Sequence, residues 1–194
     1  SILNNPEIDP NKTFYGNSVC HLAIFRGSSS LLSLLLASPR IDPAIPNNDG
    51  ITPFHLAASN PSDFNWAIRS LLSHDLVTPN TLDNEGWTPL YEMCTTYNQN
   101  DQFQEILRFL LNHPKLEEQR IYNLDGKSPL WKCENPTTNK ILLECPKIDV
   151  NRLYKGRHIL LELAGKNMPS STLPFLLHEE TDVNVLSEDG KNII

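Results

Sequence analysis

The sequence has no long apolar run. Its longest apolar stretch, around Leu31 to Ala37, falls well short of the ~20 residues that a membrane-spanning helix needs. The residues that follow Ser1 do not resemble a secretory signal peptide. We therefore expect no insertion into a membrane, and the hydrophobic content of 39% suits an elongated body with much surface.

Basic residues are outnumbered by acidic ones. The chain carries 16 Lys and Arg against 23 Asp and Glu, which gives a net charge of −7. Nucleic-acid binding normally needs a basic patch that can neutralise phosphates. We therefore expect no nucleic-acid partner.

Motifs of the common enzyme classes are missing as well. The sequence has no G-x-S-x-G, no phosphate-binding P-loop and no G-x-G-x-x-G. The paired carboxylates Glu117-Glu118 and Glu179-Glu180 are sequence neighbours at expected helix ends, an arrangement that does not make a general acid/base pair. The sequence predicts no enzyme activity and no cofactor.

Cysteine is scarce, with four residues and no C-x-x-C pair. We interpret these cysteines as reduced, buried thiols that pack as small hydrophobic residues, in preference to a zinc site or a disulfide. The histidines show no ligand spacing such as H-E-x-x-H, so no metal site is predicted. Reduced thiols indicate a cytoplasmic or nuclear compartment.

A glycine-centred segment recurs along the chain. Its fullest copy is N-D-G-I-T-P-F-H-L-A-A at 48–58. Gly50 permits the positive φ of a tight turn, Thr52 can cap a helix, and Pro53 takes the first helical position, where a missing N–H costs little. The turn glycines are Gly16, Gly50, Gly86, Gly126, Gly156 and Gly190, at spacings of 34, 36, 40, 30 and 34 residues.

This segment resembles the T-P-L-H-x-A signature of the ankyrin repeat family, whose period is about 33 residues. The resemblance implies an all-α ankyrin solenoid in which each repeat is a hairpin turn followed by two antiparallel helices. We expect a single domain over 1–194, with about five near-complete repeats opening near Gly16, Gly50, Gly86, Gly126 and Gly156. Partial repeats are expected at 1–11 and 186–194.

The uneven spacing predicts irregular repeats. We expect a long inter-helix loop near Tyr97 to Gln102 in the third repeat and a truncated helix pair in the fourth. Within the motif, His21 and His55 are expected to tie adjacent hairpins, and Trp131 is expected to fill the same gap as a core ring. Trp66 is assigned to the core, and Cys20, Cys94 and Cys133 to the first helices of their repeats.

The family resemblance also implies a function, the binding of a protein or peptide partner on the concave surface. In ankyrin repeats, partners are usually held by residues that flank the turn glycine and by residues at the end of the first helix. Carried over to this sequence, the partner-binding candidates are Phe14, Tyr15, Asn17, Phe25, Arg26, Asn48, Ile51, Asn60, Glu85, Trp87, Thr95, Lys127, Tyr154, Lys155, Arg157 and Lys166.

Two features of this set stay open at the level of sequence. The large tip residues Phe14, Tyr15, Ile51, Trp87 and Tyr154 can be interface anchors, or they can pack on neighbouring tips and stiffen them. The cations Lys127, Lys132, Lys155, Arg157 and Lys166 can form a solvated charged face, or they can meet an acidic segment of a partner.

The wider context also leaves alternatives. Because the chain opens and closes inside a repeat, we expect it to be a piece of a longer protein that has further domains. The alternative to a binding module in its own right is the target-recognition arm of a larger enzyme or of a secreted pathogen effector. A secreted effector would act in a host cytosol.

Overall fold

The computed structural model describes residues 5–96, 100–165 and 169–184. Within these ranges the chain is helical and forms no extended strand, as the all-α prediction requires. The α-helices are α1 Val19–Phe25, α2 Ser29–Leu36, α3 Pro53–Ser59, α4 Asn65–Leu72, α5 Pro89–Met93, α6 Asp101–Leu111, α7 Pro136–Leu143, α8 Ile159–Gly165 and α9 Pro169–Leu176. Short 3₁₀ helices span Glu118–Arg120 and Pro129–Trp131.

The helices form two layers. The inner layer contains α1, α3, α5, the 3₁₀ turn Pro129–Trp131 and α8, and the outer layer contains α2, α4, α6, α7 and α9. Each helix packs on its partner in the same repeat. Successive outer helices also pack on one another from α2 to α9, and in the inner layer α1 packs on α3 and α3 on α5. The predicted solenoid is therefore confirmed. The expected partial repeat at 186–194 lies outside the described residues.

The inner helices of the second, third and fourth repeats begin with the predicted capping chemistry. The side chain of Thr52 accepts a hydrogen bond from the backbone N–H of His55, and Pro53 occupies the first turn. Thr88 with Pro89 and Ser128 with Pro129 repeat the arrangement. The cap satisfies a backbone donor that has no partner inside the helix, so each turn ends and each helix begins at a defined residue.

The buried side chains form one continuous core along the array. Its largest fully buried members include Phe54, Tyr91, Phe103 and Phe175. All four cysteines are buried and free, and burial raises the pKa of Cys20 to about 12. The placement of Cys94 and Cys133 on inner helices is wrong, however, since Cys94 follows the last residue of α5 and Cys133 follows the 3₁₀ turn.

The third repeat distributes its extra residues differently from the prediction. Helix α5 ends at Met93 and α6 begins at Asp101, so Asp101 and Gln102 are helical and the predicted loop ends earlier. Residues 97–99 of that loop lie outside the described ranges. Asn100 accepts from the N–H of Phe103 and caps α6, whose 11 residues take up part of the added length.

The fourth repeat is truncated in its inner helix alone. Only the 3₁₀ turn Pro129–Trp131 stands in its place, whereas α7 keeps eight residues. The cause is Pro136, because a residue that precedes proline is pushed toward extended backbone. Asn135 takes that conformation and caps α7, which leaves room for little more than one turn after the cap at Ser128.

Cations tie the ends of outer helices to the next repeat. The ammonium of Lys115 donates to the carbonyl oxygens of Leu72, His74 and Val77 at 3.2, 2.8 and 3.2 Å. Lys147 likewise donates to the carbonyl of Leu116 at 2.9 Å. The bond to Leu72, the last residue of α4, satisfies a carbonyl that the helix end leaves without an intrahelical partner.

Candidate functional site

Hairpin tips and inner helices together form one surface of the array. We call this surface the inner face and number the tips in chain order: tip 1 is 14–17, tip 2 is 47–51, tip 3 is 83–87, tip 4 is 123–127 and tip 5 is 154–157. All the predicted partner-binding residues lie on a tip or at the end of an inner helix, except Lys166, which lies outside the described residues.

Tips 2, 3 and 4 share one geometry. At tip 2 the N–H of Asn47 donates to the carbonyl of Ile51 at 2.8 Å, which encloses a three-residue loop that ends in Gly50 at φ +78°. The side-chain oxygen of Asn47 accepts from the N–H of Asp49 and of Ile51. Asp83 accepts both equivalent bonds in tip 3, and Asn123 accepts from the N–H of Lys127 in tip 4. An Asx residue three positions before the glycine therefore builds these turns.

Tips 1 and 5 are tighter. Phe14 and Asn17 exchange two backbone hydrogen bonds, as do Tyr154 and Arg157, around a two-residue loop. Both loop residues have positive φ, 49° and 80° at Tyr15 and Gly16. These are the angles of a type I′ turn, which non-glycine residues other than Asn and Asp adopt infrequently. The turn holds Tyr15 outward in a defined direction.

The central tips are bonded to one another. The N–H of Asn84 donates to the carbonyl of Asp49 at 3.0 Å, and the N–H of Leu124 donates to the carbonyl of Gly86 at 2.8 Å. The approach is close enough that a Cβ on Gly86 would lie 2.4 Å from the Cβ of Leu124. A Cβ on Gly156 of tip 5 would meet no atom within 4 Å.

The two motif histidines add a second set of ties. The N–H of Ser18 donates to Nδ1 of His21, so Nε2 carries the proton and donates to the carbonyl of Ile51 at 2.9 Å. His55 bonds Thr52 and the carbonyl of Trp87 in the same way. Burial lowers the pKa of both imidazoles. The predicted tie between adjacent hairpins is confirmed.

In the third and fourth repeats aromatic rings replace these histidines. Tyr91 is buried and lies 5.3 Å from the ring of Trp87. Trp131 is half-buried, so its assignment to the core is only partly right. Its ring reaches Tyr154 of the next repeat at 5.5 Å. Trp131 therefore supports the neighbouring tip by ring contact in place of a hydrogen bond, whereas Tyr91 contacts the tip of its own repeat.

The structure separates the two interpretations of the tip aromatics. Trp87 and Tyr154 are half-buried against neighbouring rings. Phe14 and Tyr15 are 64% and 87% exposed and contact each other edge to face at 4.5 Å. The stiffening interpretation therefore fits the C-terminal tips, and the anchor interpretation fits tip 1.

Three lysines lie over aromatic rings on the C-terminal half of the inner face. The ammonium groups of Lys127 and Lys155 are each 5.3 Å from the centroid of Tyr154, and that of Lys132 is 4.8 Å from the centroid of Trp87. We call this group, completed by Trp131, the lysine–aromatic cluster. Cation–π attraction restrains each ammonium over its ring.

Carboxylates border this cluster on the side of the third repeat. Glu92 is half-buried, and burial raises its pKa, as do the nearby charges of Asp83 and Glu85, while Lys132 opposes the shift. No carboxylate among the described residues lies within salt-bridge distance of Lys127, Lys132 or Lys155.

One row of inner-face residues was missed by the sequence reasoning. The residue that follows the motif histidine is Leu22, Leu56, Glu92, Lys132 or Glu162 in successive repeats. Leu22 is exposed, and on the same side of α1 Phe25 is 58% exposed. The sequence could have indicated this row, since the position falls one residue after a buried motif position in every copy. The row is apolar in two repeats and charged in three.

The partner-binding candidates at helix ends differ in whether their side chains form hydrogen bonds within the chain. Phe25 and Arg26 are exposed at the end of α1. Asn60 is half-buried and donates to the carboxylate of Asp63, and the hydroxyl of Thr95 donates to the carbonyl of Glu92. Of these four, Phe25 and Arg26 are the most available to a partner.

The described part of the chain contains neither a metal-ligating cluster nor a candidate membrane span. No group of three or more metal-ligating side chains gathers there. No helix in the described ranges is long and apolar enough to cross a bilayer.

Comparison with known proteins identifies the architecture. A family model of ankyrin repeats, three copies long, matches residues 20–119. The ankyrin repeat domain of Bcl-3, described as a unique member of the IkappaB protein family, is 24% identical with a TM-score of 0.75, covering 93% of this chain and 79% of its own. EF0377, an ankyrin repeat protein, is 18% identical with a TM-score of 0.72, covering 94% and 90%. No curated protein sequence matches.

Proposed function

The chain belongs to the ankyrin repeat family, and we propose that it is an interaction module that holds a partner protein or an extended peptide on its inner face. Ankyrin repeats are generally protein–protein interaction modules and are typically non-catalytic. We propose no chemistry of its own for this chain. The four buried, free thiols support the cytoplasm or the nucleus as the place of action.

The observation that carries this proposal is the exposed aromatic group in the first repeat. Phe14, Tyr15 and Phe25 are 64%, 87% and 58% exposed, and none of them belongs to the buried core. Aromatic side chains are enriched at protein interfaces, because they bury a large area at a small cost in conformational entropy. A partner that covers these rings would remove them from water.

A photo-crosslinking experiment tests which face is used. A photoreactive phenylalanine is placed at Phe25 on the inner face or, as the matched control, at Leu34 on the outer helix α2, where the exposure is 61%. The proposal expects a covalent adduct with a cellular protein from position 25 and none of that mass from position 34. Adducts from position 34 alone would contradict it.

Substitution tests the same surface without a probe. Each variant is used to pull down the partner that crosslinking identified. The double variant Phe14→Ala/Phe25→Ala should no longer pull it down, whereas Leu34→Ala should. A partner retained equally by both variants would count against the inner face as the binding surface.

A further inference from the structure

We propose that the lysine–aromatic cluster binds an acidic, extended segment of the partner, through carboxylates that meet the ammonium groups of Lys127, Lys132 and Lys155. This inference rests on the proposed function and names the chemistry of the partner at one part of the inner face. It is carried by charge complementarity and by the way the rings hold the lysines in place.

The first step concerns local charge. Segments 123–134 and 152–157, which contain tips 4 and 5, carry five cations and two carboxylates, an excess of three positive charges in a chain of net charge −7. The cations are Lys127, Lys132, Arg152, Lys155 and Arg157, and the carboxylates are Asp125 and Glu134. The excess is therefore concentrated on one part of the molecule.

The second step concerns the positions of the ammonium groups. A surface lysine normally loses side-chain entropy when it binds an anion. Here Tyr154 lies within 5.3 Å of two ammonium groups and Trp87 within 4.8 Å of a third. The rings are themselves supported by Trp131 and Tyr91. The lysines are thus partly ordered before any ligand arrives, which lowers the entropic cost of binding.

The third step concerns the shape of the ligand. The cluster takes its members from the third, fourth and fifth repeats, so one carboxylate cannot reach all three lysines. An extended segment with several carboxylates can follow the row of tips. Asp83, Glu85 and Glu92 border the cluster and would repel further negative charge there. The acidic part of the ligand therefore lies over tips 4 and 5, away from Glu92 and from Glu162 in the inner helices.

A nucleic acid fits this surface less well. Single strands bind proteins by stacking bases on free aromatic faces. The rings of Trp87, Trp131 and Tyr154 are instead occupied by lysines and by one another. A continuous phosphate backbone would also meet the bordering carboxylates.

The test uses a fluorescein-labelled decapeptide rich in glutamate and its counterpart with glutamine at every glutamate position. The chain should bind the glutamate peptide saturably, and the affinity should fall as sodium chloride is added. Lys127→Gln/Lys132→Gln/Lys155→Gln should bind about tenfold more weakly, since three charge contacts at the surface are lost. The arginine variants at the same positions should retain binding, because they keep the charge.

A matched control removes the same charge elsewhere. Lys12, Arg120 and Lys140 are exposed and lie outside the cluster, so their triple glutamine variant should bind the glutamate peptide as the parent does. Thermal unfolding of both triple variants checks that they fold. Emission from Trp87 and Trp131, read in a Trp66→Phe background, should change on titration with the glutamate peptide.

Several outcomes would overturn the inference. With the peptides, these are equal binding of the two peptides or no saturable binding of the glutamate peptide. With the variants, the contradicting outcome is an equal loss of affinity in the cluster and control variants. Displacement of the glutamate peptide by a single-stranded oligonucleotide would also contradict the inference. If the cluster variant still forms the adduct at position 25 in cells but binds no acidic peptide, the proposed function stands and this inference fails. If the chain with an intact cluster forms no adduct at position 25, the proposed function itself is contradicted.

Discussion

Tips 2, 3 and 4 differ from tips 1 and 5 in loop length, in turn chemistry and in what holds them. The three central tips are wider, are built around Asn47, Asp83 and Asn123, and are bonded to their neighbours through the backbone. Tips 1 and 5 are two-residue turns that present Tyr15 and Lys155 at positive φ. The middle of the row is therefore a continuous hydrogen-bonded strip, whereas the flanking tips display side chains.

Tips 1 and 5 differ from each other as well. Tyr154 of tip 5 packs on Trp131 and lies beneath two ammonium groups. Among the aromatic rings that the structure describes, Phe14 and Tyr15 of tip 1 contact only each other. The inner face thus has an exposed apolar end and a cationic end. A partner segment that is apolar at one end and acidic at the other would complement both.

The largest expected effect separates the central tips from tip 5. Gly86→Ala should lower the free energy of unfolding by about 3 kcal/mol, because a Cβ at positive φ is strained and this one would also strike Leu124. Gly156→Ala should cost only about 1 kcal/mol, the strain alone. Urea unfolding measures both, and equal losses would contradict the close approach of tips 3 and 4.

The second prediction separates tip 5 from tip 1. Tyr154→Ala should destabilise the chain by about 2 kcal/mol, since it removes a half-buried ring and its contact with Trp131. Tyr15→Ala should change stability by less than about 0.5 kcal/mol, because that ring is exposed. A large loss of thermal stability in Tyr15→Ala would show that tip 1 also has a packing role.

The third prediction concerns the Asx turn. Asn47→Ala should cost about 1 kcal/mol, because the N–H groups of Asp49 and Ile51 lose their side-chain acceptor. Thr13, the equivalent residue at tip 1, accepts no such bond within the tip, so Thr13→Ala should be nearly neutral. Faster amide hydrogen exchange at tip 2 in Asn47→Ala, with tip 1 unchanged, would confirm the difference.

The fourth prediction is a dependence of stability on pH that arises from the histidine bonds to tips 2 and 3. Burial lowers the folded-state pKa of His21 and His55 below the ordinary value of 6.5, so the unfolded chain binds protons first as the pH falls. Their contribution is complete above about pH 6.5 and is lost below it, by at most about 1.4 kcal/mol per pH unit for each histidine. Urea midpoints of the parent and of His21→Gln/His55→Gln should converge between about pH 7 and 5. Parallel curves would show that these imidazoles do not titrate differently on folding.

Much of the fold was predictable because residues close together in each repeat specify its turn and its helix start. Gly50, Thr52 and Pro53 act on the residues beside them, so turn, cap and helix start could be located from sequence alone. Helix ends were less predictable, since the end of the inner helix in the fourth repeat depends on Pro136 and on the cap of the following helix.

The positions of the candidate site residues were predictable, but the exposure of their side chains was not. Sequence placed Phe14, Trp87 and Tyr154 on tips, but it could not tell an exposed ring from a packed one. That difference depends on contacts between residues of successive repeats, such as Trp131 with Tyr154 and Lys132 with Trp87.

By itself, the sequence determined the periodic architecture, the capped helix starts, the glycine turns and the histidine ties. These depend on residues close in the chain or on equivalent positions of adjacent copies. Only the tertiary structure decided which tips join into a strip, which aromatic rings stay exposed, and which lysines lie over rings. Those outcomes depend on the distances between side chains that stacking brings together from separate repeats, and no local pattern specifies them.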